Sequence, residues 1–148
     1  MGKHMAHYLL KKGYNLVVYN RTASKADDLV AAGAKFMSPK EIAEQSDYLF
    51  LMLGYPHDVE QMTIDPQEGI LKHMKSGSYL IDHTTSKPGL AQKIYEEAKK
   101  VNVQSIDAPV SGGDTGARNG CLVVMVGGES EAVEHVRPLF DCFSAKVQ

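Results

Sequence analysis

The run "YLFLML" at residues 48–53 is apolar without a break, where a strand with one wet face would alternate polar and apolar residues. Such a run is what a strand covered on both faces carries, and that requirement leaves few architectures open. "SYLIDHT" at 78–84, "SIDAPV" at 105–110 and "CLVVMV" at 121–126 extend the series, and "LVVYN" at 16–20 is a further short buried strand. Helical stretches separate them. "SKADDLVAAGA" suggests a helix with Ser24 as N-cap and Gly33 just past its end, and "SPKE" combines a capping box with proline at the first helical position. Further helices are expected at about 69–75, 87–100 and 129–140, and "MGKHMAHYLLKKGY" forms one carrying Met5, Leu9 and Leu10 on one side.

Alternating strand and helix predicts an α/β domain: a Rossmann-like, doubly wound, mostly parallel sheet. A helix opens the chain, so the sheet is expected to lack the strand that ordinarily comes first. At 148 residues and 43% hydrophobic content the chain is one domain, 1–148, with no repeat or linker. Sixteen Lys and Arg against eighteen Asp and Glu leave no basic footprint for nucleic acid, and no run reaches the roughly 18 apolar residues of a membrane span. Cys121 and Cys142 lack metal-ligand spacing and the density of a disulfide scaffold, which suits the cytoplasm.

Ligands of such sheets bind beyond the carboxyl ends of the strands. Four stretches fall there: "NRT" (20–22), "LGYPHD" (53–58), "TTSKPG" (84–89) and "SGGDTGARNG" (111–120). At the first exit an acidic residue would bind the ribose 2′-hydroxyl of NAD, whereas Arg21 offers a fork suited to the 2′-phosphate of NADP. An exposed arginine beside an N-capping threonine reads equally well. Gly54 is compatible with close nucleotide approach or with an ordinary turn; Thr84, Thr85 and Ser86 supply hydroxyls to a ligand or to a helix cap, a role that suffices for Ser86. Ser111, Gly112 and Gly113 can form an anion-binding concavity of backbone N–H groups, or merely a tight loop. His4 and His7 share a helix face without a third ligand, so no metal is assigned. His83 is the one histidine near these exits, as a packing residue or a site residue.

Taken together, "MGKHMAHYLLKKGY", "VVYNRT", "LMLGYPHDVE", "LIDHTTSKPGLAQKI" and "DAPVSGGDTGARNGCLVVMVGG" resemble the amino-terminal cofactor domain of the β-hydroxyacid dehydrogenase family, over essentially all 148 residues. That family includes 3-hydroxyisobutyrate dehydrogenases and, more distantly, 6-phosphogluconate dehydrogenases. The resemblance implies that Gly2 is the last glycine of the dinucleotide fingerprint, and that Asn20, Arg21 and Thr22 surround the 2′-phosphate. It implies also that Leu53 and Gly54 line the cofactor groove, Thr85 lies by the nicotinamide, and Ser111, Gly112 and Gly113 hold the substrate carboxylate.

The expectation is thus the cofactor domain of an NADP-preferring oxidoreductase, with NAD as the alternative, acting on the CH–OH group of a small hydroxy acid or on a semialdehyde. The family's general acid/base lysine is expected beyond Gln148, with the all-helical domain through which its members form oligomers. No catalytic residue is assigned in this chain, and as a fragment it is expected not to turn over. A noncatalytic Rossmann-like module that binds a nucleotide or a protein partner is the rival reading.

Overall fold

The computed structural model describes residues 1–148. Strands β1 (Val17–Val18) and β2 (Lys35–Phe36) form a parallel pair. Strands β3 (Tyr48–Leu51), β4 (Tyr79–Asp82) and β5 (Gln104–Asp107) form a parallel sheet in the order β3-β4-β5. Strand β7 (Leu122–Val124) pairs antiparallel with β6 (Val110–Ser111) and parallel with β8 (Ser144–Val147). Reciprocal hydrogen bonds between Asp107 and Gly127 join these last two groups, whereas no ladder joins β1 to β3. A helix, α1 (Gly2–Lys11), precedes the first strand of this mostly parallel, Rossmann-like arrangement.

The apolar runs are explained by where their side chains go. On β4, Leu80 enters one core with Leu49, Leu51, Val59, Ile94 and Ala98, while its neighbour Ile81 enters another with Met5, Leu9, Ile106, Val136 and Phe140. The first core lies under helices α3 (Pro39–Gln45), α4 (Pro56–Thr63) and α5 (Pro88–Lys100); the second lies under α1 and α7 (Ser130–Phe140). Adjacent residues of one strand are therefore both buried, and alternation disappears.

Several local expectations need correction. The capping box at Ser38 and Glu41 forms, and Gly33 follows the helix C-cap at φ +118°, but Ser24 caps nothing. It lies inside a 3-10 turn, Ala23–Ala26, ahead of a short α2 (Asp27–Ala31). Residues 69–75 form only a 3-10 turn at Leu71–His73, and α5 starts from Lys87, so Ser86 is not its cap. "SIDAPV" is two strands, because the chain leaves β5 after Asp107 and joins β7 at Val110. "GDTGARN" is helix α6 (Gly113–Asn119), and it packs on α1. Tyr8 of α1 donates to the Arg118 carbonyl at 2.7 Å, and a Cβ at Gly120 (φ +67°) would lie 2.8 Å from the Tyr8 ring. No helix is long and apolar enough to cross a membrane.

Ile81 is fully buried at the centre of the sheet, so Ile81→Ala removes contacts and leaves a cavity. We expect a loss of roughly 2–5 kcal/mol, read from the urea midpoint at unchanged m-value.

Candidate functional site

The parallel strands β3, β4 and β5 point their carboxyl ends toward one rim, the β1 exit reaches it through the contact of Arg21 with Asp58, and most of the sequence-selected residues emerge there. Asn20, Arg21 and Thr22 follow β1, with the Asn20 amide donating to the Thr22 carbonyl at 2.9 Å and so shaping the turn. The Arg21 side chain is 82% exposed, and its guanidinium reaches across to Asp58 near the start of α4 at 3.5 Å. Gly2, at the head of α1, closes on the β3 exit: a Cβ there would meet the Met52 Cβ at 3.3 Å.

Leu53 and Thr84 sew two strand exits together. The Leu53 N–H donates to Thr84 Oγ1 at 2.9 Å, and the Thr84 N–H donates to Asp82 Oδ1 at 2.9 Å. The second bond is an Asx turn, in which a carboxylate accepts from the amide two residues on. Thr84 is buried by this work, while Thr85 and Gly54 remain exposed at the rim. Asp82 lies directly beside Asp107 in the β4–β5 register. Burial raises the Asp82 carboxyl above its ordinary range against the opposing pull of its bonds with Thr84, and burial with the Asp82 charge raises Asp107.

Ser111, Gly112 and Gly113 are also exposed, where β6 turns into α6. Gly112 and Gly113 hold φ +128° and +61°, angles that favour glycine, and the space a Cβ at Gly113 would fill is open. The loop therefore presents bare backbone. Asp114 beyond it lies 3.5 Å from His4 of α1 and 3.0 Å from Arg118, which ties the loop to the head of α1. The structure thus brings Gly2, Leu53, Gly54 and Thr85 to the central exits, sets Asn20, Arg21 and Thr22 at one flank, and sets Ser111, Gly112 and Gly113 on the loop bound to α1.

Asp58, Asp82 and the structural role of Thr84 were not evident in the sequence reading. The available signals were Asp-x-Thr at a strand end and an acidic residue in the first turn of a proline-started helix. No group of three or more His, Cys, Asp or Glu stands in metal-holding geometry.

His83 is a packing residue of an unusual kind. Its ring stacks on Phe50 and meets Phe140 and Phe143 edge-on, and its Nδ1 lies 2.7 Å from the Ala108 carbonyl. A carbonyl only accepts, so the neutral ring carries its proton on Nδ1, leaving Nε2 buried without a partner. Ser86 Oγ is likewise buried and unpartnered.

The donor set fits a phosphorylated dinucleotide: a solvent-facing guanidinium fork at one flank, exposed hydroxyls, and glycines that leave main chain uncovered.

Comparison with known proteins gives a consistent picture. The family model of the NAD binding domain of 6-phosphogluconate dehydrogenase matches residues 1–148. The probable 3-hydroxyisobutyrate dehydrogenase-like 1, mitochondrial, of Arabidopsis thaliana is 48% identical over 141 residues, covering 95% of this chain and 42% of that protein. The NAD-dependent L-serine dehydrogenase of Pseudomonas aeruginosa is 39% identical over 148 residues, covering 99% and 49%. Among solved structures, Psf3 in complex with NADP+ and 2-OPP superposes with a TM-score of 0.94 at 30% identity, covering 100% of this chain and 52% of that one. The chain spans about half the length of the curated relatives it matches.

Burial lowers the pKa of His83 to about 4 from 6.5, against the opposing bond to Ala108. The unfolded chain therefore binds a proton that the folded chain refuses between these values, and stability falls as pH drops from 6.5 toward about 4. The loss through this group amounts to about 3 kcal/mol. Asp82 and Asp107, being raised, oppose it by favouring the folded form as they protonate. We expect His83→Leu to flatten the fall of the denaturation midpoint between pH 6.5 and 4; an unchanged slope would refute the assignment.

Proposed function

This chain belongs to the family of the NAD binding domain of 6-phosphogluconate dehydrogenase, and on that premise we propose that it is the cofactor domain of an NADP-preferring oxidoreductase acting on the CH–OH group of a small β-hydroxyacid. The observation that carries the cofactor preference is Arg21: a permanent charge at the exit of β1, 82% exposed, where an NAD-specific domain would carry an acid.

In this reading Asn20, Arg21 and Thr22 hold the 2′-phosphate, with the Asn20 amide keeping the turn in shape. Gly2 allows the head of α1 to approach the β3 exit, and the half-buried Leu53 and exposed Gly54 line the groove. Thr85 lies beside the nicotinamide, on a turn held by Asp82 and Thr84. A nicotinamide held there would supply hydride-transfer chemistry toward the carbon bearing the substrate oxygen. Ser111, Gly112 and Gly113 orient the substrate through its carboxylate, which accepts from backbone N–H groups and the serine hydroxyl. The hydroxyl proton is handled by a lysine outside these residues. Oligomerisation, in this proposal, uses a helical domain that is also outside them.

Titration of the chain with NADPH and NADH, followed by calorimetry, tests this. Arg21→Ala removes a charge-assisted contact made by only one of the two, so we expect about tenfold or greater loss for NADPH and a change of less than about twofold for NADH. Equal losses would refute the 2′-phosphate assignment.

A further inference from the structure

The anionic neighbour of Arg21 is as informative as Arg21 itself. Asp58 is the third residue of α4, and its side chain is only 14% exposed. Oδ2 accepts from the Tyr55 N–H at 3.2 Å, which fixes the carboxylate against the helix start. Gly54 adjoins it: a Cβ there would stand in ordinary contact with Oδ2, at 3.6 Å. The other oxygen, Oδ1, faces outward and lies 3.5 Å from the Arg21 guanidinium and 3.4 Å from His57 Nε2. The two members of the pair differ in freedom: the carboxylate is held by main chain, whereas the guanidinium sits at the end of a solvent-exposed side chain.

We propose that Asp58 is a cofactor-specificity residue that gives this site two modes; the inference rests on the reading of Arg21 as the 2′-phosphate ligand. A phosphate bound by Arg21 shares the guanidinium with Oδ1 and lies within the field of that carboxylate. That cost falls on NADP alone. A ribose with a free 2′-hydroxyl instead donates to Oδ1, the role an acidic residue at the strand end fills in NAD-specific domains. Here the acid comes from α4 and the arginine from β1, so neither dinucleotide is rejected. The chain therefore binds NADP less selectively than Arg21 alone would dictate, and binds NAD through Asp58.

Asp58→Asn tests this, because the amide keeps an oxygen to accept from Tyr55 N–H and removes only the charge. In calorimetric titrations of the 148-residue chain, with thermal melts to verify folding, we expect NADPH to bind tighter and NADH weaker. Their ratio should move toward NADPH by about tenfold, the effect of removing one unit charge a few ångströms from the phosphate. Losses of the same size for both would mean a merely structural role and would overturn the inference, as would an unchanged ratio or a shift toward NADH. Arg21→Ala separates the two claims. If that variant leaves NADPH binding intact, the phosphate reading fails; if it weakens NADPH while Asp58→Asn leaves the ratio unmoved, only the specificity role fails. Binding of neither dinucleotide to the unaltered chain overturns both.

Discussion

Everything at the rim of this domain depends on β4 being buried on both faces. Leu80 and Ile81, adjacent in sequence, anchor cores on opposite sides of the sheet, so β4 cannot slip by one residue without exchanging both. That fixed strand sets the register of β3 on one side and β5 on the other, and hence the height at which each chain leaves the sheet. The Thr84 hydroxyl then bonds the β3 exit, and the Ala108 N–H reaches the Asp82 carbonyl at 2.8 Å. Packing energy is converted into the placement of a few exposed polar groups.

The electrostatics of the rim are divided in the same way. Its inner carboxylates, the buried Asp82 and the half-buried Asp107, are neighbours in register, and Asp82 holds the Thr84 main chain. At the flank Arg21 and Asp58 face each other from two elements, and at the loop Asp114 faces His4 and Arg118.

The central strands could be read from the chain because two-sided burial writes itself as an uninterrupted apolar run. Strand β2 could not: Lys35 and Phe36 are both exposed and too few to carry a pattern. Strand β8 consists of Ser144–Val147, with Ala145 and Lys146 exposed, and its place follows from β7 rather than from its own composition. Helix α6 was hidden for another reason. Its glycines argue for a loop, but Gly116 and Ala117 are buried, and a Cβ at Gly116 would lie 3.2 Å from Leu122 Cδ2, so a small residue is a condition of packing there. In the site, the place of residues at a strand exit was legible from position, while their roles rested on the family resemblance. Asp58 was not, since the residue it faces lies on a different element.

The contact between Tyr8 and Gly120 bears on how such a domain can change over evolutionary time. The tyrosine hydroxyl holds the end of α6, and its ring fills the space a side chain at position 120 would need. Neither residue touches the loop of Ser111–Gly113, yet together they fix where the helix following that loop lies. Variation at position 8 is thus conditional on position 120, and a loop of different length or specificity cannot be grafted from another scaffold without bringing a matching first helix. The loop's helix and α1 form a single mechanical unit, although more than a hundred residues of chain separate the tyrosine from its glycine.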